Sequence, residues 1–262
     1  MKESEKMLKN IFDSHSHYDD DRFDKDRQTL IPQLFSSSVS YIMHASTDLD
    51  SAQFGIDMSE KYPNFYTSAG IHPLDLDKLQ DDTIKTIERL ARENEKVKAI
   101  GEIGLDYHYE PYDKELQKKI FSNQVELANS LSLPVIVHIR EATQDALDIL
   151  TKYKPRGVVH CFSGSAETAQ QIIKLGMYIG FTGVLTFKNS KKARKAAEVV
   201  PIDRLVLETD CPYMAPEPFR GERCDSSMIS EIAKTAAGIY GKTPQEILDV
   251  TCENAKRLYG IY

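Results

Sequence analysis

Three observations on this 262-residue sequence predict a single-domain α/β protein, a (β/α)8 barrel. Short apolar and β-branched runs alternate with stretches of helical spacing along the whole chain, as in parallel α/β architectures. The polar residues able to do chemistry collect where those runs end. The length is close to the roughly 250 residues that one such barrel takes. No proline-rich or glycine-rich linker and no internal repeat divides the chain.

The predicted strands, in order, are Ile11 to Asp13, Val39 to His44, Phe65 to Ala69 and Val97 to Gly101. Val135 to Val137, Gly157 to Val159, Met177 to Phe181 and Leu205 to Leu207 follow. Several are apolar without alternation, as expected of strands covered on both faces. Between them lie amphipathic stretches. Ile84, Ile87, Leu90 and Ala91 mark one helical face, and Leu116, Ile120, Val125, Ala128 and Leu131 another. Ser165 can cap a helix that carries Ile172 and Ile173 and stops at Gly176. Thr243-Pro244-Gln245-Glu246 combines a capping box with proline at the first helical position. It opens a helix carrying Ile247, Leu248, Ala255 and Leu258.

Residues 1–10 read as a short, solvated N-terminal extension, and residues 11–262 as the barrel. The extension is charged and lacks a hydrophobic segment, so it is not a secretory signal. No apolar run approaches the roughly 20 residues needed to cross a bilayer. The four cysteines are scattered, unlike a secreted disulfide scaffold. Reduced thiols and a cytoplasmic setting are expected, with no membrane and no obligate protein partner evident. The net charge of −7 argues against broad coating of nucleic acid. It leaves a nucleic-acid substrate open, because bound metal supplies positive charge locally.

The strongest local signal is His15-Ser16-His17, directly after the first strand. Residues two apart on an extended chain project to the same side, so both imidazoles can reach one ion. Other strand ends repeat the theme. Strand three runs into Gly70-Ile71-His72-Pro73, and strand four into Gly101-Glu102-Ile103-Gly104-Leu105-Asp106. Strand five ends at His138, strand six at His160, and strand eight leads through Glu208-Thr209 to Asp210. Six of the seven histidines lie at or just beyond strand ends. In a barrel these ends converge on one mouth, whereas in an open sheet they spread along a line. Imidazole and carboxylate suit zinc, manganese or iron, and a carboxylate can bridge two ions. Such a site attracts an anionic substrate and activates water near neutral pH.

At this constellation the chain resembles the TatD family of metal-dependent DNases, among the amidohydrolase-like barrels. The matching segments are Phe12-Asp13-Ser14-His15-Ser16-His17, Gly70-Ile71-His72-Pro73, Gly101-Glu102-Ile103-Gly104-Leu105-Asp106 and Pro134-Val135-Ile136-Val137-His138. His160-Cys161-Phe162-Ser163-Gly164 and Glu208-Thr209-Asp210-Cys211-Pro212-Tyr213 complete the set. The likeness runs from about Ile11 to Tyr259, and the combination is far more specific than any one fragment.

The resemblance implies a deoxyribonuclease acting on DNA with two divalent ions, whether zinc, manganese or magnesium. It implies that His15 and His17 bind one metal with Asp210, that Glu102 bridges the pair, and that His138 and His160 hold the second ion. Asp210 is then also the candidate general base, and His72 faces the substrate. Arg140 and Arg220, near the expected mouth, are the candidate phosphate contacts. One departure stands in Pro218-Phe219-Arg220-Gly221-Glu222-Arg223-Cys224, where Cys224 occupies a position usually held by asparagine; the anchoring of that loop or its contacts to substrate are expected to differ.

Plainer readings compete elsewhere. Cys161 is expected to pack against helices, since a strand neighbour points away from its ligand, and Cys211 is read as structural. Glu208 is a partner to a ligand, a group that helps a further metal, or a fixed structural carboxylate. Asp19, Asp20 and Asp21 read as a solvated charge run. Tyr107, Tyr109 and Tyr112 either stack on bases or form a half-buried loop. Lys188, Lys191, Lys192, Arg194 and Lys195 read first as a solvated helix face. His44 is expected to hydrogen-bond at its strand end and His108 to lie in a loop. Two other functions fit the residues: hydrolysis of a small amide, lactone or phosphoester on the same scaffold, or a non-catalytic metal-containing interaction module.

Overall fold

The computed structural model describes residues 8–262; of the expected extension, residues 1–7 lie outside the described residues. Eight strands form one sheet in chain order, every neighbouring pair parallel. They are β1 (Ile11–Ser16), β2 (Val39–His44), β3 (Phe65–Ala69), β4 (Val97–Asp106), β5 (Val135–Arg140), β6 (Gly157–Val159), β7 (Tyr178–Phe181) and β8 (Leu205–Leu207). Helices α1 (Arg27–Ser36), α2 (Leu49–Lys61), α3 (Thr83–Glu93), α4 (Lys114–Leu131) and α5 (Thr143–Tyr153) follow the first five strands. α6 (Ala166–Lys174), α7 (Lys191–Val199) and α8 (Ile229–Tyr240) follow the last three, and α9 (Pro244–Tyr259) ends the chain. Among the described residues no helix is long and apolar enough to cross a membrane.

The barrel closes between β1 and the chain leaving β8. Asp210 N–H donates to His15 O at 2.9 Å, and His17 N–H to Cys211 O at 2.8 Å. Ser14 Oγ donates to Leu207 O at 3.0 Å. β1, β4 and β5 each run past the apolar stretch that predicts them, so His15, Glu102, Asp106, His138 and Arg140 are strand residues. Their polar side chains are held inside the mouth, and pairing with neighbouring strands therefore continues through them.

Alternation along β1 and β4 is interrupted just below the mouth. Asp13 pairs with Ile42 and Ser16 with His44, three residues against two. On β4, Ile100 pairs with Val135 and Ile103 with Val137, again three against two. Phe12 and Ala99 face the interior, so strict alternation would turn His15 and Glu102 outward. A slip of one residue reverses the facing beyond it and brings both side chains to the barrel axis.

Two apolar layers result. Phe12, Met43, Ala99, Ile136, Val158, Tyr178 and Val206 fill the barrel interior, while the outward residues pack against the helices. α9 is the extra element: its Cys252, Ala255, Leu258 and Tyr259 join the interior cluster from below. Asn254 Nδ2 donates to Leu205 O at 2.7 Å, at the start of β8. Tyr259 Oη donates to Ser14 O at 2.9 Å. The helix is set by Thr243, whose side chain accepts from Glu246 N–H while the Glu246 carboxylate accepts from Thr243 N–H. With the lower end plugged by α9, the barrel axis among the described residues opens at the upper end.

Candidate metal centre

Glu102, on the central axis and 3% exposed, is the hub of the mouth. Its Oε2 lies 3.1 Å from His15 Nε2 and 3.5 Å from His17 Nε2. Its Oε1 lies 2.8 Å from His160 Nε2, 3.1 Å from His138 Nδ1 and 3.4 Å from His72 Nε2. Asp210 Oδ1 completes the first side, 3.2 Å from His17 Nε2 and 3.5 Å from His15 Nε2. Each carboxylate oxygen of Glu102 thus serves its own set of imidazoles. The ligand atoms of His15, His17 and Asp210 lie within 4.8 Å of one another, as do those of His15, Glu102 and His160.

The donor set fits divalent metal: neutral imidazoles and ionised carboxylates whose lone pairs face a common space. His15 Nε2 and His17 Nε2 face each other at 3.0 Å. The tautomer of His138 is fixed from behind, because its Nε2 hydrogen-bonds Asp106 Oδ2 at 3.0 Å and leaves the Nδ1 lone pair for the centre. Asp106 is in turn held by His108 N–H at 2.9 Å on Oδ1, and Gln117 clamps its backbone N–H and carbonyl.

His72 differs. Its Nδ1 accepts the Leu74 N–H at 3.2 Å, so the proton sits on Nε2, which points at the centre. In this tautomer His72 is a donor and offers no lone pair there. Lys78 holds its loop from below through Asp48 and Asp75.

The charges are strongly coupled. Burial pushes the Glu102 carboxyl up, but the charges of His160, His15 and His72 and the hydrogen bond from His138 hold it well below the usual range. Burial, reinforced by the charge on His160, lowers His15 to about 4. For His17 burial is outweighed by the hydrogen bond to Asp210 with the charges of Glu102 and Asp210, raising it to about 9. His138 is likewise raised to about 9 against burial, by hydrogen bonds to Asp106 and Glu102. A cation bound here has to displace those protons.

A second tier of buried carboxylates lies beneath. Glu208 is fully buried, accepts the Ser14 hydroxyl at 3.4 Å, and stands 4.0 Å from His160 Nδ1. Burial raises it to about 8. It fits only because Gly180 has no side chain: a Cβ there would meet Glu208 Oε2 at 2.4 Å. Asp13 accepts Thr209 Oγ1 at 2.6 Å, Thr209 N–H at 3.0 Å and Ser226 Oγ at 2.7 Å, tying β1 to the turn that presents Asp210. Asp13 and Asp106 were given no role by sequence reasoning. The available signal was a carboxylate inside an apolar strand run, which has to be partnered to be buried.

The centre floors a cavity of about 750 Å³ lined by residues from the loops above. Arg140 lines it, with its guanidinium 4.8 Å over the Tyr109 ring. Arg220 stands outside that lining, stacked 4.4 Å over Phe187. Cys161 lines the cavity rather than packing against helices: β6 has ended at Val159, and a φ of +44° breaks the alternation. Cys211 is fully buried, as expected of a structural thiol. The acidic run is not uniformly solvated, for Asp19 faces the cavity and Asp20 is paired to Arg22. His44 is a buried hydrogen-bonding residue, 3.2 Å from Ser51 O, and His108 pairs with Glu141 at 2.7 Å in its loop. Lys188, Lys191, Lys192 and Lys195 are exposed, while Arg194 bonds the carbonyls of Leu185 and Thr186. The loop carrying Cys224 is anchored by Arg223, bidentate to Asp26 at 2.7 and 2.6 Å, with Cys224 itself buried.

Residues 12–260 match a family model described as TatD related DNase. An uncharacterised metal-dependent hydrolase, YabD of Bacillus subtilis, is 39% identical over 254 residues, covering 96% of this chain and 99% of its own. A protein of Erwinia tasmaniensis named 3'-5' ssDNA/RNA exonuclease TatD is 31% identical, covering 96% of this chain and all of its own. Among solved structures, the TatD homologue YjjV of Escherichia coli superposes with a TM-score of 0.91 at 27% identity, covering 98% of this chain and 100% of that one.

Proposed function

The chain belongs to the TatD related DNase family, a family of metal-dependent hydrolases, and from that premise we propose that it cleaves phosphodiester bonds in DNA with two divalent ions. The observation that carries this reading is the division of Glu102, one oxygen toward His15 and His17 and the other toward His138 and His160. In this reading His15, His17 and Asp210 would hold one ion and His138 and His160 the other, with Glu102 shared between them. Zinc, manganese and magnesium are the candidate metals, and the nitrogen-rich donor set favours the first.

When bound, the ions supply positive charge to the phosphate and lower the pKa of water that attacks it. Asp210, kept ionised because the His17 hydrogen bond and neighbouring imidazoles hold its carboxyl below the usual range against burial, would accept a proton at Oδ from an attacking water. His72 Nε2–H donates to a phosphate oxygen. Arg140, at the cavity wall, would pair with the next phosphate along the strand, and Arg220, outside that lining, remains the second proposed phosphate contact. Asp106 orients His138 from behind through its 3.0 Å hydrogen bond. A cytoplasmic setting belongs to the same reading, consistent with four free cysteines. The Erwinia relative's printed name, a 3'-5' exonuclease on single-stranded DNA and RNA, supports a nucleic-acid substrate.

End-labelled single-stranded and duplex DNA incubated with metal-loaded protein tests the proposal, beside Glu102→Gln and Asp210→Asn. Cleavage by the wild type that chelator and both substitutions abolish is the expected result. Intact DNA at full metal occupancy, with turnover of a small amide, lactone or phosphoester, would replace the DNA reading by hydrolysis of that compound.

A further inference from the structure

Among the described residues six large apolar side chains are exposed, and five of them stand in loops at the mouth: Leu74, Tyr109, Tyr112, Tyr213 and Met214. Apolar exposure concentrated around one opening marks a binding surface. Two of these residues are held in a particular way. Tyr213 is 48% exposed, yet one face is covered by the Arg22 guanidinium at 4.0 Å and its hydroxyl donates to Asp20 Oδ2 at 3.0 Å. Asp20 also grips Arg22 through Nε at 2.9 Å and Nη2 at 3.0 Å, so ring, cation and carboxylate form one unit. Tyr109 is 53% exposed, with Arg140 4.8 Å over one face and His108 edge-on at 4.8 Å. Tyr107 and Tyr112, by contrast, stack on each other at 5.0 Å, and Asp145 holds the Tyr107 hydroxyl.

Tyr109 follows β4 and Tyr213 follows β8, four places apart in a closed ring of eight strands, so they stand on opposite sides of the cavity that both line. Resting on the nucleic-acid reading above, we infer that Tyr109 and Tyr213 are base-stacking platforms that grip the nucleotides on either side of the cleaved bond and select unpaired, unstacked polynucleotide. With a phosphate over Glu102, the two flanking bases lie toward opposite walls, each meeting an exposed ring, one face of which is covered by a guanidinium. Bases in a duplex are stacked on their neighbours and cannot turn onto such walls without being unpaired. Every base has a π face, so the platforms distinguish single strands from duplex with little sequence preference. The guanidinium against each ring fixes it in place, which spares ordering on binding.

The test uses the full metal-loaded chain and two single-stranded DNA oligonucleotides, one natural and one abasic on both sides of the cleaved bond. Stacking worth that of other single-strand binders corresponds to roughly 5- to 150-fold per base. The wild type should therefore cleave the abasic strand with kcat/KM lower by at least fivefold. That discrimination should shrink in Tyr109→Ala and in Tyr213→Ala and persist in Tyr109→Phe, which keeps the ring. Equal cleavage of the two strands by the wild type, or discrimination undiminished in both alanine variants, overturns the inference while leaving the nuclease intact. Failure of the wild type to cleave any oligonucleotide removes the nucleic-acid reading itself, and the platforms with it.

Discussion

At the scale of single residues, the behaviour of this centre depends on groups that touch no ligand space. Asp106 takes the Nε2 side of His138 at 3.0 Å and so decides which nitrogen offers a lone pair. Asp106→Ala should reduce metal affinity or kcat/KM by about 10- to 100-fold, the usual loss when an outer partner of a metal-binding histidine is removed. Metal titration and steady-state kinetics on the variant check it, and a variant as tight and active as the wild type would show that His138 needs no such partner. The six proposed ligands were legible in the sequence because each is a polar residue at a strand end, where a barrel gathers side chains. Asp106 and Asp13 were harder to read. Their roles follow from distances between segments far apart in the chain, such as the 2.6 Å contact of Asp13 with Thr209. His72 was expected to face the substrate; the contact that leaves its proton on Nε2, a backbone N–H of Leu74 on Nδ1, depends on loop geometry.

At the scale of elements, the periodic patterns were the readable part. The capping box at Thr243 and the stop at Gly176 lie where local chemistry demands them. The one-residue slips in β1 and β4 carry no comparable signature. They arise from pairing with neighbours, yet they turn His15 and Glu102 inward. α9 was likewise legible as a helix but not as the plug under the barrel, because amphipathic spacing names a buried face without naming its partner. Leu258 is fully buried at that contact. Leu258→Ala should lower unfolding free energy by about 2–5 kcal/mol, as in other large-to-small core substitutions. Denaturant unfolding measures it; a loss below about 0.5 kcal/mol, the ordinary range for surface changes, would mean that α9 does not seal the interior.

At the scale of the whole molecule, an acidic chain of net charge −7 concentrates cation-binding groups at one opening. Protons and metal compete for them. His17 and His138 carry protons up to about pH 9 by their raised pKa values. Metal binding must therefore release protons below that pH, and apparent affinity should rise as pH increases toward it and fall as pH drops. Calorimetry in buffers of different ionisation enthalpy reads the release directly, and a binding enthalpy independent of buffer near pH 7 would contradict the coupling. In the proposed reading Glu102 joins two ions in this mouth. Native mass spectrometry of the protein titrated with zinc tests it most directly, with Glu102→Ala alongside. Two ions should bind per wild-type chain, and the paired state should be lost in the variant. A wild type that saturates at a single ion, or a variant that still holds both, would contradict it.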